Sequence, residues 1–345
     1  MKSKRVALGW DAFVDRVWQI VKKKKGKDIT FLNSMAEFQE QVKAAVGTGL
    51  STEIKEKYSR GGGFTVNTGR ALGELGVPVY LVGLYGRERI QSIFQELPRT
   101  CELISYGEPC YSHIFEFEDG KLMFPQLENI EMVDWSYLKD NLGRDTIGDI
   151  AREVEIFGLG YWENMPHFRG ILSSLLRIVS DKELKIFLDP GNVKNRSPED
   201  FRRLVDFFRK KNDELDIIMS FNGPEFIAAC RYLDLKIEDK NEIRDNMIAA
   251  AEKFAVKELI VHTPKFSISC SENNVEIHEQ KECKSPVLTT GAGDTFNGGY
   301  LRAMLQDYSQ YQRLKVANGT ARFYVEKGYP PGAEELSKYI QNCYV

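Results

Sequence analysis

Residues 184–222 read LKIFLDPGNVKNRSPEDFRRLVDFFRKKNDELDIIMSFN. The ends of this stretch, LKIFLDPG (184–191) and LDIIMSFN (215–222), are short apolar runs that break off in Asp, Gly and Asn. Between them Pro198–Arg209 carries apolar residues at helical spacing behind a Pro start signal. The same rhythm extends along the chain in both directions. RVALGW (5–10), VYLVGLYG (79–86), EVEIFGLG (153–160) and ELIVHT (258–263) read as strands, and Val66–Leu75, Phe168–Val179, Asn241–Phe254 and Asp294–Leu305 as helices. Near-continuous apolar strands alternating with helices predict a mostly parallel sheet covered on both faces. The expected fold is therefore α/β, a three-layer α/β/α sandwich.

Composition narrows the function. The 345 residues carry 47 Lys+Arg against 50 Asp+Glu, a net charge of −3, so the chain lacks the basic surface that nucleic-acid binding rests on. No apolar run approaches the roughly 18 residues of a membrane span, and MKSKRVALGWDAF lacks an apolar signal core, so a cytoplasmic location is expected. The six cysteines are scattered without a CxxC pair or zinc spacing, which predicts free thiols. The run Lys22 to Lys25, with Lys27, reads as a solvated turn.

Two stretches leave the strand–helix rhythm. Residues 18–60 hold the Lys run, a helix-like SMAEFQEQVKAAV opened by Ser34, and extended sequence; residues 107–130 read as a hairpin around an Asp119-Gly120 turn. Together they predict a small β lid over the mouth of the sheet, which could also pair two subunits edge to edge into a homodimer.

Ligands of open α/β sheets bind beyond the carboxyl ends of the strands, and here those ends are rich in Gly, Asp and Asn. The most informative segment is TTGAGDTFNGGYLRAML, Thr289 to Leu305. Gly291, Ala292 and Gly293 lead a close-approaching backbone turn into a helix, whose free amides and dipole suit phosphate oxygens. A carboxylate at Asp294 would repel phosphate at rest, and makes sense there as acceptor of the nucleophile's proton. Taken alone, Asp294 reads equally as a helix cap.

Within this segment T-G-A-G-D-x-F-x-x-G resembles the second signature of the ribokinase-like, or PfkB, carbohydrate kinase family. Gly62-Gly63-Phe64-Thr65-Val66-Asn67 followed by GRALGELG is similar to its first signature, and Asn222-Gly223-Pro224-Glu225 to its N-x-x-E motif. Three motifs in the family's order cover essentially the whole chain, and the outer two must meet at one site. Residues 1–345 are therefore expected to form one ribokinase-like α/β domain with the lid.

The resemblance implies phosphoryl transfer from ATP, with Mg²⁺, to a hydroxyl of a sugar or sugar derivative. Asp294 would be the base and the amides of Gly291, Ala292, Gly293 and Asp294 the anion hole. Glu225 with Asn222 would organise Mg²⁺ and phosphate, partly through water. Asp15, with Asp11 as its competitor, would grip sugar hydroxyls together with Gly62, Gly63 and Asn67. Thr263, Thr290 and Asn318 fall on the nucleotide side, although Asn318 also reads as a helix-surface residue. Asp189 either orders the phosphate or metal site or only accepts turn amides.

Three positions depart from the pattern: Leu288 where many members have Asp, Pro264-Lys265 where glycines follow the Thr, and Phe64 in place of a polar residue. Lys265 could contact a nucleotide phosphate or be solvated. A nucleoside kinase is the rival reading, with Trp10, Phe13 and Phe64 stacking on a base. A non-catalytic sugar sensor is the reading from another class. A nicotinamide dehydrogenase is poorly supported, because GLGYWE and GAGDTF lack the third glycine of a dinucleotide fingerprint.

Overall fold

The computed structural model describes residues 4–143, 145–179, 183–211, 215–237 and 242–343. Strands numbered in chain order are β1 (Val6–Gly9), β2 (Phe13–Lys25), β3 (Asp28–Phe31), β4 (Ile54–Gly62), β5 (Val79–Gly83), β6 (Cys101–Ser105), β7 (Cys110–Phe117), β8 (Gly120–Gln126), β9 (Ile156–Gly160), β10 (Lys185–Asp189), β11 (Asp216–Asn222), β12 (Glu258–His262), β13 (Phe266–Ser271) and β14 (Asn274–Glu279). The larger sheet runs β14-β13-β12-β11-β10-β9-β1-β5-β6. It is parallel from β12 to β6, with β13 and β14 antiparallel at one edge. Burial along nearly the whole of β1, β9, β10 and β11 follows from helices on both faces, which is why these strands read as unbroken apolar runs.

Strand β1 lies between β5 and β9. The chain leaves β1 for β5 and β6 on one side and returns to β9 on the other, so the crevice beyond β1 and β9 is the topological switch point. Asp11 and Tyr161 sit there, just past the two strands. Helix Phe64–Glu74 presses against this place because β9 ends in glycine: a Cβ at Gly160 would lie 2.2 Å from Phe64 Cγ. Phe64 is accordingly core, stacked on Phe187 at 6.4 Å between ring centroids.

The smaller sheet runs β3-β2-β7-β8, with β4 also paired to β2. It is built from the two stretches expected to leave the strand–helix rhythm, but it begins at Phe13 rather than near residue 18, so Asp15 belongs to it. Lys22–Lys25 form the solvated outer end of β2 rather than a turn, which is confined to Gly26-Lys27. The hairpin between β7 and β8 turns on Glu118-Asp119, one residue earlier than expected, with Phe117 opposite Gly120. Asp119 Oδ1 there accepts from the amide of Met35 at 2.7 Å, while Ser34 caps helix Met35–Ala44 as its sequence predicts.

Two helices start earlier than their apolar spacing indicated, Phe64–Glu74 and Ala292–Leu305. Asn241, the expected start of another, lies outside the described residues; that helix runs Ile243–Phe254. Strands β6, β13 and β14 of the larger sheet were not expected. FSISCS alternates apolar with serine, yet Ser267 and Ser269 are buried, so its polarity disguised a covered strand.

Candidate active site

Helices Phe64–Glu74 and Ala292–Leu305 cross closely because Gly298 has no side chain; a Cβ there would stand 2.7 Å from that of Ala71. The contact places Asn67 against Asp294. Asn67 Nδ2 donates to Asp294 Oδ2 at 2.9 Å, and the hydroxyl of Tyr161 donates to Oδ1 at 2.9 Å. Arg70 Nη1 donates to Asn67 Oδ1 at 3.3 Å, which fixes the amide with its nitrogen toward the carboxylate. Burial pushes Asp294 up to about 7, against the pull of the Asn67 and Tyr161 hydrogen bonds and with Asp11 and Glu225 adding to the rise. Asp294 is thus a carboxylate poised to exchange a proton near neutral pH.

The loop ahead of this helix turns through Gly291, whose φ of 85° is left-handed. Ala292 N donates back to Thr289 O at 3.2 Å, so that amide is committed to the turn rather than to an anion hole. Among the described residues no hydrogen bond takes up the amides of Gly293 and Asp294, which leaves them to face an anion.

The two acidic candidates on the acceptor side separate cleanly. Asp11 accepts from the amides of Phe64 and Thr65, both at 2.9 Å, and from the Thr65 hydroxyl at 2.6 Å. Its oxygens cap helix Phe64–Glu74, so it is not free to hold a sugar, contrary to its place as a competitor. The Asp15 carboxylate has no hydrogen bond among the described residues and faces Gly62, where a Cβ would collide with its Oδ2 at 2.1 Å. Burial pushes it up to about 6, opposed chiefly by Arg60 and Lys121. Gly63, with φ 90°, holds the backbone against Asp11 instead. Trp10, Phe13 and Phe64 are all buried, so none is available to stack on a base.

On the other side of the loop a cavity of about 390 Å³ is lined by Asn222, His262, Thr263, Ala292, Gly293 and Asn318, among others. Asn318 is fully buried, not a surface residue; its Nδ2 meets His278 Nδ1 at 2.8 Å while its Oδ1 has no partner. The Thr263 hydroxyl is spent on the β12–β13 turn, donating to Phe266 O and accepting from Phe266 N. Thr290 does not line this cavity. Its hydroxyl meets Lys121 Nζ of the lid at 2.6 Å, and its carbonyl accepts from Tyr324 at 2.6 Å. Lys265 lines a more open outer groove instead.

Asn222 and Glu225 form a reciprocal capping box, Asn222 Oδ1 taking the Glu225 amide at 2.9 Å and Glu225 Oε2 the Asn222 amide at 3.0 Å. Asp189 accepts from Gly191 N at 3.0 Å and from Asn297 Nδ2 at 2.8 Å. It therefore takes a turn amide and also joins the buried polar cluster. Burial and the nearness of Glu225 push Asp189 well above the usual carboxylate range, and burial raises Glu225 as well. Asp189, whose charge the nearby Glu225 disfavours, and Glu225 itself are hard carboxylate oxygen donors of the kind Mg²⁺ takes. Among the described residues no group of three His, Cys, Asp or Glu side chains is placed to hold a metal ion by itself.

The family model of prokaryotic ketohexokinases matches residues 1–343. The chain belongs to this family. A ketohexokinase of Haloferax volcanii is 28% identical over 343 residues, 97% of this chain and 90% of its own length. Among solved structures, Arabidopsis thaliana ribokinase complexed with ribose and ATP superposes with a TM-score of 0.70 at 19% identity, covering 99% of both chains. Thermotoga maritima ribokinase gives 0.65 at 16%, covering 99% of this chain and all of its own. The fold is thus ribokinase-like, and the prokaryotic ketohexokinase family makes the protein an ATP-dependent sugar kinase. Residue reasoning missed Tyr161, Arg70, Arg60 and Lys121. Tyr161 directly follows the glycine-ended strand β9, a position at which strand-end reasoning could have found it.

Proposed function

We propose that the protein transfers the γ-phosphoryl group of ATP to a hydroxyl of a ketohexose, in one α/β domain covered by its β lid. The observation that carries this reading is Asp294, buried and held near neutral pKa at the start of a helix whose first residues, Ala292 and Gly293, line a cavity of about 390 Å³. Asp15 and the bare backbone at Gly62 hold sugar hydroxyls. Asp294 receives the proton of the attacking hydroxyl as its oxygen joins the γ-phosphorus and the bond to the ADP oxygen breaks. The amides of Gly293 and Asp294 face the charge on the phosphoryl oxygens. Asn318 lies in the wall of the cavity on the nucleotide side. Asp189 and Glu225 would hold Mg²⁺, which would supply charge neutralisation on the phosphates.

Mg-ATP with a panel of ketohexoses, aldoses and nucleosides tests the reading through ADP release. Ketohexoses are expected to give the highest kcat/KM, and Asp294→Asn to lower kcat by at least about 10²-fold. An unchanged rate in that variant would remove Asp294 as base.

Among the described residues no helix is long and apolar enough to cross a membrane, and we place the activity in the cytoplasm. We further infer a homodimer through the lid. Its edge strand β8 leaves a row of backbone groups unpaired and exposes Met123 and Phe124, a combination that favours pairing with a second copy.

A further inference from the structure

The chain has four histidines, and His167 alone among them is fully exposed. Two of the covered ones have polar partners: His113 Nδ1 accepts from Trp18 Nε1 at 3.2 Å, and His278 Nδ1 meets Asn318 Nδ2 at 2.8 Å. His262 differs. Among the described residues no hydrogen bond takes up either of its ring nitrogens.

Its place is fixed by the sheet. His262 ends β12 and pairs in register with Asn222 of β11 and Ser267 of β13. Phe296 of helix Ala292–Leu305 packs on the imidazole, with ring centroids 4.8 Å apart. One edge of the ring then meets the loop ahead of that helix: a Cβ at Gly293 would stand 3.1 Å from His262 Cε1 and 3.5 Å from Nε2. That edge lies against the residue whose amide is left free for an anion, and both residues line the cavity of about 390 Å³. Burial pushes His262 down to about 4, so near neutral pH the ring is uncharged and offers one N–H donor and one acceptor nitrogen. Packing on Phe296 asks only for a flat or apolar side chain. Polar ring atoms held from bulk water without partners cost free energy that a ligand in the cavity would recover.

The surroundings say which ligand. Gly293 and the helix start favour anionic oxygens, while Pro286, Ala321 and Val325 give the same cavity apolar wall suited to a flat base. A molecule with both features is a nucleotide. The carboxylate of Asp294 is held by Asn67 and Tyr161, whereas His262 flanks the loop from the cavity, where the nucleoside end of the donor must lie.

We propose that His262 is a nucleotide-binding residue whose Nε2–H donates to an oxygen of the phosphate chain on the nucleoside side of the transferred group, an inference that rests on the kinase reading above. Gly293 then serves twice, its amide facing the anion and its missing side chain letting the imidazole reach the same anion. The contacted phosphate stays on the nucleotide after transfer, so ATP and ADP both make the contact and adenosine does not.

The test compares wild type with His262→Leu, which removes the donor, and His262→Gln, which keeps an N–H. Calorimetry gives the ADP affinity, and competition against ATP gives that of adenosine. His262→Leu is expected to weaken ADP and raise the ATP KM about tenfold, the value of one hydrogen bond to a charged group. Its affinity for adenosine and its ketohexose KM should stay within about threefold of wild type, and His262→Gln should fall between. Nitrogen NMR of histidine-labelled wild-type protein reads the contact directly, even if His262→Leu does not fold. ADP should move the imidazole signals that are missing in His262→Gln, and adenosine should leave them in place. Wild-type ADP affinity in His262→Leu, or imidazole signals unmoved by ADP, would overturn the proposal. So would an equal loss for ADP and adenosine, which would make His262 a packing part of the nucleoside wall. A wild-type protein that binds no ADP and phosphorylates no sugar would instead bring down the kinase reading and this inference with it.

Discussion

Asp294 carries its chemistry through its surroundings. Burial raises it to about 7, while Asn67 and Tyr161 donate to its two oxygens and Asp11 and Glu225 oppose its charge. A base must be deprotonated to accept the sugar proton, so kcat is expected to fall as pH drops through about 7 and to level off above it. Tyr161 donates to the charged form and so lowers the pKa. Tyr161→Phe should therefore move the acid limb of the kcat profile to higher pH without abolishing activity. A limb that stays in place would show that Tyr161 does not tune the base. Tyr161 was within reach of strand-end reasoning, but its partner could not be read from sequence, because the two residues are brought together only by packing.

At the scale of elements, the paired Asp11 and Asp15 show how one stretch, GWDAFVD, supplies two carboxylates with different work. Asp11 leaves β1 and caps helix Phe64–Glu74, whereas Asp15 belongs to the lid strand β2. Asp11→Ala is expected to destabilise the fold by about 1–2 kcal/mol, the cost of a lost cap, measurable by denaturant unfolding. Asp15→Ala, which removes a buried carboxylate without a hydrogen-bond partner, should not lower stability, and should raise the ketohexose KM at least about tenfold, the value of one lost charged hydrogen bond. The opposite pattern would exchange the two assignments. Their spacing in sequence could not separate them, since the distinction depends on which amides lie beyond β1.

For the whole molecule, the smaller sheet carries both the proposed cover of the site and the inferred dimer contact. Its inner side brings Asp15, Arg60 and Lys121 to the site, and its outer strand β8 is left as an edge. A double change of Met123 and Phe124 to Asp should convert the inferred dimer into a monomer in sedimentation equilibrium, because charge on an edge strand blocks pairing. A wild-type protein sedimenting as a monomer would exclude the lid dimer.

Local chemistry determined the parallel centre of the larger sheet and the glycine loop before helix Ala292–Leu305, because apolar runs, helix starts and glycine turns act over a few residues. The sequence likewise placed the three motifs of the kinase site in order. Only the tertiary structure decided which Asp caps and which stays free, that Phe64 fills the core over Gly160, and that Asn318 is buried. It also placed Tyr161 and the lid cations around Asp294 and its loop. Each of these depends on groups far apart in the chain, Asn67 with Asp294 or Lys121 with Thr290, and their meeting depends on how closely helices and sheets pack. Sequence spacing carries no record of that distance.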